Sequence, residues 1–82
     1  MYLVYVLKST KRNYIYVGLT DNLDRRFMQH QKGWNKTTAP YRPFEIILQE
    51  KYKTRTEARA REKYFKSGCG KEWIKEYIKK KE

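Results

Sequence analysis

Two tyrosines, an arginine, a histidine and a glutamate are the side chains of this sequence whose types and order are able to do chemistry. Tyr5 ends the run Leu3-Val4-Tyr5, and Tyr16 opens the run Tyr16-Val17-Gly18. Arg26 and His30 follow at helical spacing, and Glu62 lies much further along. A phenol can hold or pass a proton, and a planar guanidinium fork matches the oxygens of a phosphate. An imidazole titrates near neutrality, and a carboxylate can hold a divalent ion. Together these are the groups a phosphodiester-cleaving site needs.

Each residue also has a plainer reading. Strand tyrosines are common, and the chain has eight of them. Arg26 can lie along apolar surface with its head in solvent, and His30 can be a satisfied histidine near a helix end. Glu62 falls between Ala58 and Phe65 on the face of its helix that should turn inward. A bare inward carboxylate is costly, so it needs either an arginine partner or a metal. The wheel alone leaves both open.

The elements that must position these groups follow from pattern. Residues 2–8 and 14–19 are β-branched and aromatic on both faces, which predicts strands covered on both sides. Ser9–Asn13 between them is of hairpin length. Tyr5 shares a face with Leu3 and Leu7, and Tyr16 with Tyr14 and Gly18, while the register between the strands stays open. Thr20 or Asp21 can cap a helix running to about Lys32, with Gly33 where a C-terminal cap belongs. On its wheel Leu23, Phe27 and His30 fall together, Arg26 stands one step aside and Arg25 points away.

Trp34–Pro43 reads as a loop and Phe44–Glu50 as a third strand. Thr54-Arg-Thr-Glu57 is a capping box that opens a helix to about Lys66. Gly68 and Gly70 are expected to break the chain before a last amphipathic helix, Lys71–Lys81, with its apolar side on Trp73, Ile74, Tyr77 and Ile78. The order β-β-α-β-α-α describes an α+β fold, a small three-stranded antiparallel sheet flanked by helices.

Eighty-two residues fit one domain, residues 1–82, near the lower limit for a core without staples. The aromatic share of 16% is expected to supply much of that core. A lone cysteine, Cys69, has no internal partner, which favours a reducing, cytoplasmic setting. No apolar run approaches the ~20 residues of a membrane span, and the opening Met1–Leu7 lacks the basic start of a signal peptide. Twenty basic against nine acidic residues leave a net charge of +11. The first fifty residues hold eight basic and four acidic side chains, the remainder twelve and five, so the excess is spread through folded-looking sequence. A polyanion is the natural partner, because neutralising phosphates releases condensed counterions. An anionic membrane surface is a weaker candidate, since aromatic and basic residues alternate through folded-looking sequence instead of gathering on one amphipathic helix.

Taken in order, Tyr5, then Tyr16-Val17-Gly18, then Arg26 and His30, then Glu62, the pattern resembles the GIY-YIG nuclease family over about residues 2–70. Leu3-Val4-Tyr5 stands where the family has Gly-Ile-Tyr, and Tyr16-Val17-Gly18 where it has Tyr-Ile-Gly. Seven residues separate Gly18 from Arg26 and three separate Arg26 from His30, as in the family's first helix. The stretch Ala58-Arg-Ala-Arg-Glu62-Lys-Tyr-Phe-Lys-Ser-Gly68 is similar to short stand-alone bacterial members. Two departures are visible: Leu3 replaces the first glycine of the signature, and no asparagine follows Glu62. The chain is expected to be little more than the nuclease module, without the DNA-targeting domains of repair, homing or restriction members.

The resemblance implies hydrolysis of DNA with one divalent ion, Mg²⁺ or Mn²⁺, on Glu62. Arg26 would hold the scissile phosphate, Tyr5 by preference would accept the proton of the attacking water, and Tyr16 would position water or phosphate. His30 would either replace Tyr5 as base or tune it. RNA stays open as a substrate, and DNA shape, a junction or a protein partner is expected to supply targeting. Two rival readings remain. One is a nucleic-acid-binding module of the same fold with weak catalysis, the other an adaptor that docks on an acidic assembly.

Overall fold

A strand that is apolar on both faces needs cover on both, and this requirement organises the molecule. In the computed structural model, which describes residues 1–81, β1 (Tyr2–Ser9) is the middle strand of an antiparallel sheet ordered β2-β1-β3. β2 spans Ile15–Thr20 and β3 spans Phe44–Tyr52, two residues beyond the predicted end. Val4, Tyr5, Val6 and Leu7 are all fully buried, as a central strand under two layers must be. The register sets Tyr5 opposite Gly18 on β2 and Gln49 on β3, with an irregularity in the β3 pairing between Val6 and Leu7.

Strand alternation then divides the core. Val4, Val6 and Val17 face α2 (Arg55–Lys66) and α3 (Gly68–Lys81), where they meet Ala58, Phe65 and Ile74. Tyr5 and Leu7 face α1 (Leu23–Lys32), where they meet Leu23 and Phe44, with Tyr16 and Phe27 packed against them. Burying side chains such as Phe65 and Ile74 contributes about 1.5–3 kcal/mol each. With no staple available, the two thin layers rest on such residues.

The α1 cap differs from expectation. Asn22, not Thr20 or Asp21, is the N-cap, its Oδ1 accepting from the Arg25 N–H at 3.1 Å. Thr20 is the last residue of β2, and its Oγ1 accepts from the Asn22 N–H at 3.1 Å, so it sets the turn into the cap. Gly33 ends α1 at φ 77°, a left-handed conformation that favours glycine. Thr54 caps α2 as expected, accepting from the Glu57 N–H at 3.2 Å.

Gly68 and Gly70 do not separate two helices; they begin α3. The break falls at Ser67, whose Oγ accepts from the Gly70 N–H at 3.2 Å. Gly70 serves close packing instead: a Cβ there would collide with the Tyr64 carbonyl and the Phe65 backbone of α2. Residues 34–43 form the expected connection, with one 3-10 turn at Ala39–Tyr41.

Candidate active site

Tyr5, Tyr16, Arg26 and His30 converge between β1, β2 and α1. The Tyr5 ring crosses directly over Gly18, where a Cβ would overlap its Cζ and Oη. That explains the glycine of Tyr16-Val17-Gly18 physically: it makes room for the other tyrosine. From there the wholly buried Tyr5 reaches His30, with Oη 3.2 Å from Nε2. The His30 ring is 1% exposed, 4.8 Å from the Tyr16 ring centroid and edge-on to Phe44 at 6.1 Å.

The contacts of the other imidazole nitrogen allow donor and acceptor to be assigned in this bond. His30 Nδ1 lies 2.9 Å from Oγ1 of the fully buried Thr38, and the Thr38 hydroxyl donates to the Asn35 carbonyl at 3.4 Å. With its proton turned to Asn35, Thr38 accepts from Nδ1–H. Nε2 is then the lone-pair side and accepts from the Tyr5 O–H. Burial, with the Arg26 charge second, lowers the His30 pKa below its usual value, in keeping with a neutral ring. Burial also pushes the Tyr5 phenol up to about 12; Tyr16 adds to the rise, and Arg26 opposes it without overcoming it.

Arg26 stands beside both phenols. The Tyr5 hydroxyl is the main reason its pKa rises, against a smaller lowering by burial. Its well-formed hydrogen bond runs from Nη1 to Gln29 Oε1 at 3.1 Å. Gln29, His30, Trp34 and Asn35 line a cleft with it. Of these neighbours, Gln29, Thr38 and Asn35 were not singled out from sequence. Gln29 shows only as the residue three after Arg26, and Thr38 belongs to a polar loop with no periodicity to mark it.

Glu62 is not part of that cluster. It is 7% exposed on the inward face of α2, as its wheel position predicts, and α2 packs on the opposite side of the sheet. Its Oε1 pairs with Arg59 at 3.4 Å and its Oε2 with Lys66 at 3.2 Å. The two layers meet along β2, the edge strand. Arg55, which opens α2, lines a hollow with Thr20 and Arg26, and Lys66, which ends it, lines a cleft with Tyr16. Glu62 lies on α2 between these two meeting points.

The residues fit a divalent ion in one form. Among the described residues no group of three His, Cys, Asp or Glu side chains gathers, so the protein's own donor set is one carboxylate. Mg²⁺ accepts such a set because it keeps waters and takes phosphate oxygens as further ligands. Arg59 and Lys66 are 57% and 56% exposed, so they can turn to solvent or phosphate when a metal ion takes their place on the buried carboxylate.

This arrangement coincides with a family match. The chain matches the model of the GIY-YIG catalytic domain over residues 1–81 and belongs to that family, a nuclease-type hydrolase superfamily whose members generally use divalent metal ions. It is 41% identical over 63 residues to UPF0213 protein YazA of Bacillus subtilis (strain 168), covering 76% of this chain and 63% of that protein. It is equally 41% identical over 63 residues to UPF0213 protein lwe0147 of Listeria welshimeri, covering 76% of this chain and 69% of that one. UPF0213 protein CPE1444 of Clostridium perfringens is 36% identical over 64 residues, 77% of this chain and 68% of its own length. The chain thus spans less than two thirds of the Bacillus relative, at 63%. No solved structure matches the chain. Among the described residues no helix is long and apolar enough to cross a membrane.

Proposed function

We propose that this protein is a DNA endonuclease that hydrolyses phosphodiester bonds, with Tyr5, Tyr16, Arg26, His30 and Glu62 as its working residues. One observation carries the reading: the Tyr5 hydroxyl lies 3.2 Å from Nε2 of the buried His30, beside the guanidinium of Arg26. Arg26 binds the non-bridging oxygens of the scissile phosphate through its planar fork. A phenol with a pKa of about 12 is a poor source of free phenolate at neutral pH. It need not ionise first if it takes the proton of the attacking water while passing its own to His30 Nε2. The imidazolium so formed keeps its Nδ1–H on Thr38, which holds the ring in place.

Tyr5 is wholly buried and Tyr16 only partly, so the Tyr5 oxygen must be uncovered for water to reach it. Tyr16 then positions water or phosphate from the open side. When bound at Glu62, a divalent ion, Mg²⁺ or Mn²⁺, supplies charge neutralisation at the phosphate and leaving oxygen.

The +11 charge supports a nucleic-acid substrate, with DNA shape, a junction or a protein partner as the source of targeting. RNA is a second substrate to test. The lone, exposed Cys69 suits a reducing, cytoplasmic setting, and residues 1–82 are read as one nuclease unit.

A second reading draws on Glu62. Both of its oxygens are engaged by cations, which suits a nucleic-acid-binding module of the same fold with weak catalysis. Incision of branched, nicked and single-stranded DNA with Mg²⁺ or Mn²⁺ separates the two. Metal-dependent cutting supports the endonuclease, while binding without cutting on every substrate supports the module.

A further inference from the structure

Trp34 is 68% exposed, and neither capping nor packing accounts for that. It follows Gly33 in a helix-ending turn in which the Gly33 N–H bonds the His30 carbonyl and the Trp34 N–H bonds the Gln29 carbonyl at 3.0 Å. Turns of this kind commonly seat the side chain at Trp34's position against an apolar residue one turn back. Here the residues so placed are Gln29, whose amide is already bonded to Arg26, and Met28, which is itself 55% exposed. The other tryptophan, Trp73, by contrast rests between Phe65 and Tyr77. Trp34 instead has the Lys32 ammonium 5.5 Å from its ring centroid and lines a cleft of about 180 Å³ with Arg26, Gln29, His30 and Asn35.

We propose that Trp34 is a stacking platform for a nucleobase of the bound strand, next to the phosphate held by Arg26. The inference rests on the phosphodiester reading above and adds a base subsite to it. Three features favour a nucleobase. The root of the indole is fixed by a left-handed glycine and two backbone bonds, so ordering it on binding costs little. The cleft joins the indole to the phosphate-binding guanidinium, so a base seated there belongs to a nucleotide at or beside the reacting phosphate. Lys32 can turn from the indole to a neighbouring phosphate as the base replaces it over the ring. Because every base has a π-face, stacking here supplies affinity and placement more than sequence preference.

The test titrates tryptophan fluorescence, without added metal, with oligothymidylate and with an abasic strand of equal length. Trp73→Phe protein is used so that Trp34 is the only reporter. Stacking quenches Trp34 on oligothymidylate and not on the abasic strand, with tighter binding to the former. Trp34→Ala should weaken oligothymidylate binding by roughly 5- to 150-fold, the equivalent of one stacked base, and leave abasic binding unchanged. Trp34→Phe should recover most of the loss, which separates the ring from any effect on the turn. Binding of both strands with equal affinity and an unquenched Trp34 overturns the base subsite while leaving the phosphate site standing. Failure to bind any DNA at low salt overturns the underlying reading and the subsite with it.

Discussion

The hydroxyl of Tyr5 and the Nε2 of His30 lie 3.2 Å apart in a fully buried contact, joining the first strand to the last turn of the first helix. We assign the Tyr5 O–H as donor and Nε2 as acceptor, with Nδ1–H on Thr38 Oγ1 at 2.9 Å. A proton leaving Tyr5 on this assignment has an acceptor already in place.

Thr38 should matter more than its place in a loop implies. Thr38→Val removes the acceptor of a buried N–H, which costs about 1–3 kcal/mol. It also frees the ring to adopt the tautomer that cannot accept from Tyr5. Thermal melts should show the destabilisation and incision rates should fall, with Thr38→Ser restoring both. A Thr38→Val protein with unchanged stability and rate would remove Thr38 from the account.

His30 is the only histidine, so its ring resonances can be followed by NMR without ambiguity. Burial and then Arg26 hold its folded pKa below the unfolded value of about 6.5. The unfolded chain therefore binds the proton first as pH falls. Stability from the neutral ring is fully present above about pH 6.5 and is lost as pH drops through that value toward the folded pKa. The NMR midpoint should lie below 6.5, and melting temperature should fall over the same acidic window. A midpoint at or above 6.5 would contradict a ring held neutral by burial beside Arg26.

Gly18 should tolerate no side chain. Its missing Cβ is the space occupied by the Tyr5 ring, which is locked by burial and cannot swing clear. Gly18→Ala should destabilise by about 1–3 kcal/mol, as overpacking does. It should also detach the Tyr5 hydroxyl from His30, moving the His30 titration. Normal melting with an unmoved titration would show that the tyrosine is free to shift.

Glu62→Gln should abolish cutting and spare DNA binding, since the basic surface is untouched. Its two ion pairs involve half-exposed cations, so losing them should change stability by no more than about 1 kcal/mol. Incision, filter binding and a melt on the same preparation check all three. Cutting at the wild-type rate would dismiss Glu62 as a metal ligand.

How much of this was legible in the sequence depends on whether a residue's role was local. The helix from Leu23 to Lys32 closed by Gly33, the Thr54 cap and the inward turn of Glu62 all follow from 3.6-residue periodicity and capping chemistry, and all are present. Asn22 was passed over as cap because Thr20 and Asp21 are equally good cappers, and only the end of β2 decides among them. Gly70 reads as a helix breaker until the backbone of α2 is seen pressed against it. The site divides in the same way. The order of Tyr5, Tyr16, Arg26 and His30 pointed to a cluster. Thr38 and the raised Tyr5 pKa depend on a loop folding back and on burial, which no spacing encodes.

The most direct measurement of the central claim is the single-turnover incision rate, with Mg²⁺ or Mn²⁺, of wild-type, Tyr5→Phe, Tyr16→Phe and Arg26→Ala proteins, with thermal melts as folding controls. Tyr5→Phe removes one hydroxyl and keeps the ring, at a stability cost of about 1–3 kcal/mol for leaving the buried Nε2 of His30 unpaired. Its rate should fall by ~10²–10⁴-fold, the range of a positioned acid or base. Arg26→Ala should be comparably impaired and Tyr16→Phe less so. Folded Tyr5→Phe protein that cuts at the wild-type rate would contradict the Tyr5–His30 proton path.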